Sequence, residues 1–544
     1  MIFEEFATGG KNDIVKWKTL SHNGVIFQPL YEKHNIPLLY ENEKIILPII
    51  SEEYATIYAK LTDSEYVKNK TLRKNFFNDW KKILKSEGVI ITDFDKCDFS
   101  LIYKFLLDAK IEKSNYSNDE KEKIKQQKLK EEEKYKYAFI DGKKEEVGNF
   151  RVEHTGIMIG HGCNPKIGKL KMRVVPEDIT VNIDKNSKIP ELPEFYKNHK
   201  WGKILHDPYK EWLYSWYDNL TNKTKYVFLS RKSSFKASSD KEKFDKSREL
   251  KTIINKMRSE NYVNIQSSDL KLKQLALALY LIDVLAIRVG NEKNENETET
   301  YGACSLKIFH VDLSKQNELT LNFVGKDSVN YKNTIKIDNV IYDGFITIYK
   351  NKEKKDDLFD LITPIDLNIY LKTFMKNLTA KTFRTFNASV AFQNEISKIN
   401  EKYKNVKKDE IIYNKILNEY IMANITVAKL CNHQKKISKT LNEQIEKIND
   451  KIKELKDKKE TLTDKKKISK INLKIKEEKN KKNLKMELSD VNMATSKLNY
   501  IDPRITIAFI KLNNIPDNIS EKIFPSKQKE IFNWALDVDK NWVF

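Results

Sequence analysis

The sequence predicts an α+β, multidomain protein, with a mixed α/β N-terminal half, a mainly α C-terminal half and a lysine-rich helical hairpin inserted near the end. Three observations carry this. Short β-like runs and helical stretches alternate irregularly as far as Pro190, and long helices with apolar stripes follow from Ser267 onward. A near-heptad apolar series set in charge then starts at Leu441.

The chain has 544 residues, enough for about three or four domains that each bury a core. Hydrophobic residues make up 40% and aromatics 11%, so this is a globular chain and not a disordered polycation. Lysine and arginine number 99 against 78 acidic residues, a net charge of +21, which favours a polyanionic partner. AT-rich codon usage would also raise Lys, Asn and Ile, but by itself need not create net charge. Cys97, Cys163, Cys304 and Cys431 are scattered without a CxxC pair. That spacing argues against a disulfide scaffold or zinc ribbon and fits a reducing compartment. The N-terminus lacks a signal-peptide pattern, and no apolar run nears the roughly 20 residues that span a bilayer. An intracellular protein with no membrane partner is expected.

In chain order, Gly24-Val-Ile-Phe and Lys44-Ile-Ile-Leu-Pro-Ile-Ile read as strands. Tyr66 to Ser86 reads as a helix with Phe76, Phe77 and Trp80 in a core, and Asn118 to Lys136 as a solvated, charged helix opened by Asp119 and Glu120. Between Gly148 and Pro190 the texture turns to glycine and proline. Within it Lys166, Lys169, Lys171 and Arg173 accompany a flexible backbone, a weak signal for phosphate contact that matches no nucleotide cradle.

Ser267-Ser-Asp opens an apolar helix, Leu270 to Arg288, ended by Gly290, so Arg288 sits on a rigid helix terminus. Leu319, Leu321 and Phe323 alternate, Gly325-Lys-Asp-Ser turns, and Val329 and Tyr331 alternate again, a β-hairpin with Lys326 at its tip. Such a lysine either solvates the turn or reaches into a groove. Thr379 to Ser389 reads as a capped helix start. Arg384 there opposes the helix dipole and so serves something beyond the helix. Ala423 to Gln434 reads as a helix ending in Cys-Asn-His-Gln, which carries His433.

Leu441, Ile445, Ile448, Ile452, Leu455 and Leu462 form the apolar series, Thr461-Leu-Thr-Asp offers a turn, and Ile468, Ile471, Ile475, Leu484 and Leu488 resume it. Two antiparallel helices in a projecting coiled coil are expected, the alternative being one long dimerising helix. Tyr500 follows in Thr495-Ser-Lys-Leu-Asn-Tyr-Ile-Asp-Pro-Arg504. One hydroxyl nucleophile with cations able to hold phosphate points to phosphoryl transfer through a covalent phosphotyrosine.

In order along the chain, seven runs stand out: Lys16-Trp-Lys-Thr-Leu, Arg173-Val-Val-Pro-Glu-Asp-Ile, Ile287-Arg-Val-Gly-Asn-Glu-Lys, Gly325-Lys-Asp-Ser, Ala380-Lys-Thr-Phe-Arg-Thr-Phe-Asn-Ala-Ser, Leu430-Cys-Asn-His-Gln and Ser496-Lys-Leu-Asn-Tyr-Ile-Asp-Pro-Arg. This ordered set resembles the eukaryotic-type DNA topoisomerase IB family from about Lys16 to Phe544. The resemblance implies a clamp around duplex DNA, acting as a monomer in the nucleus, or in a viral factory or virion if the source is a large DNA virus. It implies residues 1–30 with 117–234 as one core subdomain and 31–116 as a second, both in the cap. Residues 235–436 would be the catalytic subdomain, 437–490 the linker and 491–544 the C-terminal domain. By the same resemblance Tyr500 is the nucleophile and Arg288, Lys326, Arg384 and His433 its partners. Lys166, Lys169, Lys171, Arg173, Asp327, Lys497 and Asn499 are expected to contact DNA; with no carboxylate cluster and no P-loop in the sequence, no metal, ATP or other cofactor is expected.

The chain departs from the family where Ile159 and His161 stand in place of arginines flanking a glycine, which predicts weakened trapping by camptothecin-type poisons. With the core expected to begin near residue 14, little of the family's charged N-terminal extension is expected. A tyrosine recombinase and a non-catalytic basic scaffold are the competing readings.

Overall fold

The computed structural model describes residues 15–160, 164–290, 299–435, 437–438, 440–461 and 464–544, leaving aside the side chains of 327, 465 and 466. The chain divides into two compact units, one running to Lys236 and the other covering Ala237–Glu292 and Glu299–Phe544. His161 lies outside the described residues, as does Leu462 of the heptad series.

The first unit is mixed α/β and holds two separate apolar cores. One gathers Leu38, Tyr54, Leu72, Phe76, Trp80 and Ile102 under a small antiparallel sheet of Glu43–Ile45, Leu38–Tyr40 and Cys97–Asp98. Phe76 and Trp80 are fully buried in it, as expected, and Phe77 is partly buried. The other core collects Trp17, Leu20, Ile179, Val181, Tyr214 and Trp216 around a four-stranded sheet ordered Lys203–Leu205, Ile179–Asn182, Tyr214–Asp218, Lys223–Val227. Helix Asn118–Glu133 is exposed except at half-buried Glu132 and opens with a capping box between Ser117 and Glu120.

Local details differ from the sequence expectation. Gly24–Phe27 is not a strand but makes a single bridge, Ile26 to Arg151. The expected strand from Lys44 stops at Ile45, because Pro48 lacks the N–H a ladder needs and instead starts helix Ile49–Ala59. The expected helix from Tyr66 begins at Lys70, where the Asn69 side chain accepts from Leu72 N and sets off a preceding 3₁₀ turn, Glu65–Lys68.

The second unit is mainly α and has one large core. Helix Leu270–Leu285 runs through it with Leu277, Leu279, Leu281 and Ile282 at most 1% exposed, and it packs against helix Ala380–Tyr403. The hairpin is present as expected: Glu318–Gly325 pairs antiparallel with Val329–Lys336, and Lys326 opens the tip. Two further helices, Leu441–Glu460 and Lys465–Glu487, pack on each other through Ile448, Ile452 and Ile475, with Lys451 paired to Glu478 at 2.6 Å. Among the described residues no helix is long and apolar enough to cross a membrane.

Candidate active site

Five chain segments of the second unit meet at one cleft: the Lys326 hairpin tip and four others, each of the four positioned by a local device. Helix Leu270–Leu285 ends earlier than expected, because Ala286 takes the left-handed conformation at φ 49 and turns the chain. Arg288 therefore lies beyond the helix, not on its last turn. Its segment is held by Ala303 N donating to the Arg288 carbonyl at 2.8 Å and Cys304 N to that of Val289 at 2.6 Å. Gly290 and Gly302 face each other there so closely that a Cβ on either would sit 2.8 Å or less from the other's backbone. The pair must be small for Arg288 to be placed.

Arg384 projects from the first turns of helix Ala380–Tyr403 and is only 5% exposed. Its Nη1 donates to the carbonyl of Ala286 at 2.6 Å and its Nη2 to that of Cys431 at 3.0 Å, while Nη2 also lies 3.3 Å from His433 Nε2. Among the described residues Arg384 Nε is buried without a hydrogen-bond partner. A buried, charged donor left unmatched is costly, and a phosphate oxygen would satisfy it.

His433 is not the end of a helix. Helix Glu410–Leu430 starts at Asp409, whose side chain accepts from Ile412 N, and stops at Leu430; Asn432, at φ 53, then turns the chain. The His433 segment runs beside the segment leading to the tyrosine, with Asn492 N donating to the His433 carbonyl at 2.9 Å and Lys435 N to that of Asp490 at 2.7 Å. The His433 ring bonds Ser496 Oγ through Nδ1 at 2.7 Å.

Tyr500 closes helix Met493–Asn499, its N–H bonded to the Ser496 carbonyl at 2.9 Å. Ser389 Oγ donates to the Tyr500 carbonyl at 3.0 Å and accepts from Asp502 N at 3.1 Å. Buried Asp502 caps the next helix and is gripped by Arg504. The Tyr500 ring lies 5.5 Å from that of His433 in a stacked arrangement and 4.9 Å from the Arg384 guanidinium.

Arg288, Lys326, Arg384 and His433 thus line a single cleft of about 300 Å³, with Tyr301 and Thr495, and Tyr500 stands beside it, 7% exposed. Burial alone would raise the Tyr500 pKa, but Arg384 and Arg288 outweigh it and hold the phenol below its ordinary value. Burial, then Arg384 and Arg288, push the His433 imidazole down to about 3, so it is neutral at physiological pH. Lys326 is exposed at the hairpin tip. The described residues contain no group of three or more His, Cys, Asp or Glu placed to hold a metal.

The DNA-contact candidates are dispersed. In the first unit Arg173 is occupied by the protein itself, donating to the carbonyls of Gln28 and Pro29 and to Glu53 at 2.7 Å. Lys166 donates to the Leu220 carbonyl, and Lys171 lies 3.8 Å from Glu153, while Lys169 is half-buried. In the second unit Lys497 lies over the Tyr420 ring and Asn499 donates to the Thr495 carbonyl. The side chain of Asp327 is outside the described residues. Residue-type reasoning did not single out Ser389, Ser496 or the carbonyls of Ala286 and Cys431. Ser496 and Asp502-Pro-Arg504 lay within a quoted run, and Asp-Pro is itself a helix-start signal.

Three family models match in succession. They are described as the DNA binding fragment of eukaryotic DNA topoisomerase I over residues 15–229, its catalytic core over 232–467, and a C-terminal topoisomerase domain over 472–544. The chain is 36% identical to DNA topoisomerase 1 of Homo sapiens, over 97% of its own length and 72% of that relative. It belongs to the eukaryotic DNA topoisomerase I family. Within that family it is also 40% identical to DNA topoisomerase 1 alpha of Arabidopsis thaliana and 35% identical to the mitochondrial DNA topoisomerase I of Rattus norvegicus. It covers 97% and 96% of itself in those two alignments, and 59% and 91% of the relatives. The chain thus spans about 59% of the length of the Arabidopsis relative.

Proposed function

We propose that the protein relaxes positive and negative supercoils in duplex DNA by cutting one strand through a 3′-phosphotyrosine at Tyr500, letting it swivel and resealing it, without metal or ATP. The observation that carries this is the Tyr500 phenol packed against Arg384 and His433, next to a cleft into which Arg288 and Lys326 also reach. The buried Arg384 Nε, a donor lacking an acceptor among the described residues, supports an anionic occupant.

The chemistry follows from these groups. A free tyrosine of pKa about 10 leaves only about one phenolate in 10³ at pH 7, a deficit of roughly 4 kcal/mol. Arg384 and Arg288 reduce that deficit and also stabilise charge spreading onto the non-bridging oxygens. Tyr500 Oη attacks the phosphorus, its proton leaves to water, and the bond to the 5′ oxygen breaks. Lys326, on a tip that can reach a groove, protonates the departing oxygen. Neutral His433 donates one hydrogen bond without changing charge. The phosphotyrosine conserves the bond energy, so the 5′ hydroxyl reseals the strand by reversing these steps.

The finer organisation is part of the same proposal. The two apolar cores of the first unit fit a division into residues 31–116 and 1–30 with 117–234, forming the cap of a clamp, with Ile157, Ile167 and Leu170 of the latter packed into the core of the former. Residues 235–436 would be the catalytic subdomain, 437–490 a projecting coiled-coil linker and 491–544 the tyrosine domain. The protein acts as a monomer in the nucleus. Exposed Ile159, replacing an arginine of the family, weakens camptothecin trapping, and a drug-stabilised covalent complex as abundant as that of an arginine-bearing relative would contradict this.

The test is supercoiled plasmid incubated in EDTA without ATP, with wild type and Tyr500→Phe. Relaxation by the wild type alone is expected. Relaxation by both, or by neither, would reject the phosphotyrosine mechanism and reopen a basic scaffold.

A further inference from the structure

We propose that Ser496 is a positioning residue: its hydroxyl donates to His433 Nδ1 and holds the imidazole as the Nε2–H tautomer, the form that donates a hydrogen bond into the cleft. The inference rests on the phosphotyrosine reading above and deepens it. The observations are all local. His433 Nδ1 and Ser496 Oγ lie 2.7 Å apart, and Ser496 is fully buried. That separation matches a hydroxyl donor better than an imidazole N–H donor, for which about 2.9–3.0 Å is usual. Among the described residues the hydroxyl has no other acceptor, and a buried hydroxyl proton needs one.

Arg384 pulls the other way. Its Nη2 faces His433 Nε2 and would bond a lone pair there, which would place the proton on Nδ1. The contact is 3.3 Å against 2.7 Å for Ser496, so the shorter Ser496 contact prevails. Because the ring is neutral, with its pKa near 3, one nitrogen carries the proton and the other accepts, and a neighbour can select which. Under this assignment three N–H groups, Arg384 Nε, Arg384 Nη2 and His433 Nε2, cluster about the cleft, and only Nη2 has an acceptor among the described residues. A non-bridging phosphate oxygen is the acceptor such a cluster fits. Ser496 also ties the histidine to the nucleophile, since its carbonyl accepts from Tyr500 N at 2.9 Å and Ile501 N at 3.0 Å.

The experiment is a double-mutant cycle on single-turnover cleavage of a duplex oligonucleotide whose cut strand releases a short fragment. The proteins are wild type, Ser496→Ala, His433→Ala and the double variant, with Ser496→Thr as the rescue. Ser496→Ala should slow cleavage about tenfold, a fraction of the ~10²–10³ lost with a whole transition-state donor. DNA affinity should hold and the melting temperature should fall modestly, because the alanine leaves a buried ring nitrogen without its partner; the His433→Ala background should show no further slowing, and threonine should restore most of the rate. In parallel, ¹⁵N-histidine spectra should place the His433 proton on Nε2 in the wild type and move it toward Nδ1 in Ser496→Ala.

A wild-type rate for Ser496→Ala, or losses that multiply in the double variant, would overturn the proposal. So would an Nδ1–H ring in the wild type, which decides the matter even if the alanine variant does not fold. A wild type that forms no covalent complex would reject the underlying mechanism, and the spectra of the wild-type ring would still decide the role of Ser496.

Discussion

Replacing Arg384 with methionine keeps the length of the side chain and removes its charge and its fork. The guanidinium lies 4.9 Å from the Tyr500 ring centre. At an effective dielectric of about 20, a unit charge at that distance is worth about 3 kcal/mol, and it favours the phenolate. Burial opposes ionisation, and Arg288 would be the remaining favourable charge, so Arg384→Met should move the Tyr500 pKa from below its ordinary value to above it. The substitution also strands the carbonyls of Ala286 and Cys431, both in residues no more than 3% exposed, at about 1–3 kcal/mol each. Cleavage should fall by at least the ~10²–10³ that one positioned donor contributes.

The assay is ultraviolet difference titration of the phenols, with Tyr500→Phe as the blank in each background, alongside single-turnover covalent-complex formation and denaturant melts. Arg384→Lys separates the two roles: it should recover part of the pKa shift and little of the rate, because an ammonium lacks the fork. A Tyr500 titration unchanged by Arg384→Met would refute the electrostatic account, and an unchanged melting curve would refute the anchoring account.

The His433 imidazole should stay neutral down to about pH 3, so an NMR titration should find no His433 midpoint near 6.5. Its folded pKa lies below the unfolded value, so its contribution to stability is full above about 6.5 and is lost as pH falls toward 3; a melting temperature that rises on acidification through that window would contradict this. Lys326→Ala, at an exposed hairpin tip, should leave stability within about 0.5 kcal/mol while slowing cleavage, and a better leaving group in place of the 5′ oxygen should restore the rate. No restoration would mean that Lys326 only contacts phosphate. Ala286→Gly should keep activity and stabilise the fold by up to about 1 kcal/mol, since glycine accepts the left-handed turn at no steric cost. Destabilisation in denaturant melts would show that the Ala286 methyl packing matters more than its backbone strain.

Periodicity and turn chemistry determined much of this protein. The hairpin that carries Lys326, the buried helix before Arg288 and the exposed charged helix after Ser117 follow from near-neighbour rules that act within a few residues. The Arg384 helix starts after Thr379 as expected, but the Thr379 side chain makes no capping bond and Asn368 accepts from Ala380 N instead. Element ends were less legible. Helix Leu270–Leu285 stops at a left-handed alanine whose carbonyl is held by Arg384, a partner 98 positions away. The helix before His433 ends at Leu430, and the two residues that follow turn the ring into the cleft. The first event leaves no mark in local composition, and the second is marked only by Asn432, a residue type that accepts left-handed backbone.

The site divides the same way. Its chemistry was readable because a tyrosine and strong cations are the residue types that phosphoryl transfer needs, and the ordered runs named the family. Only tertiary structure decided that Arg173 is consumed by Glu53 and two carbonyls, that Arg384 keeps one buried donor without an acceptor among the described residues, and that Ser496 meets His433 across 63 positions. Hydrogen bonds between residues distant in sequence depend on where whole elements pack, and packing is a property of the assembled core rather than of any window along the chain.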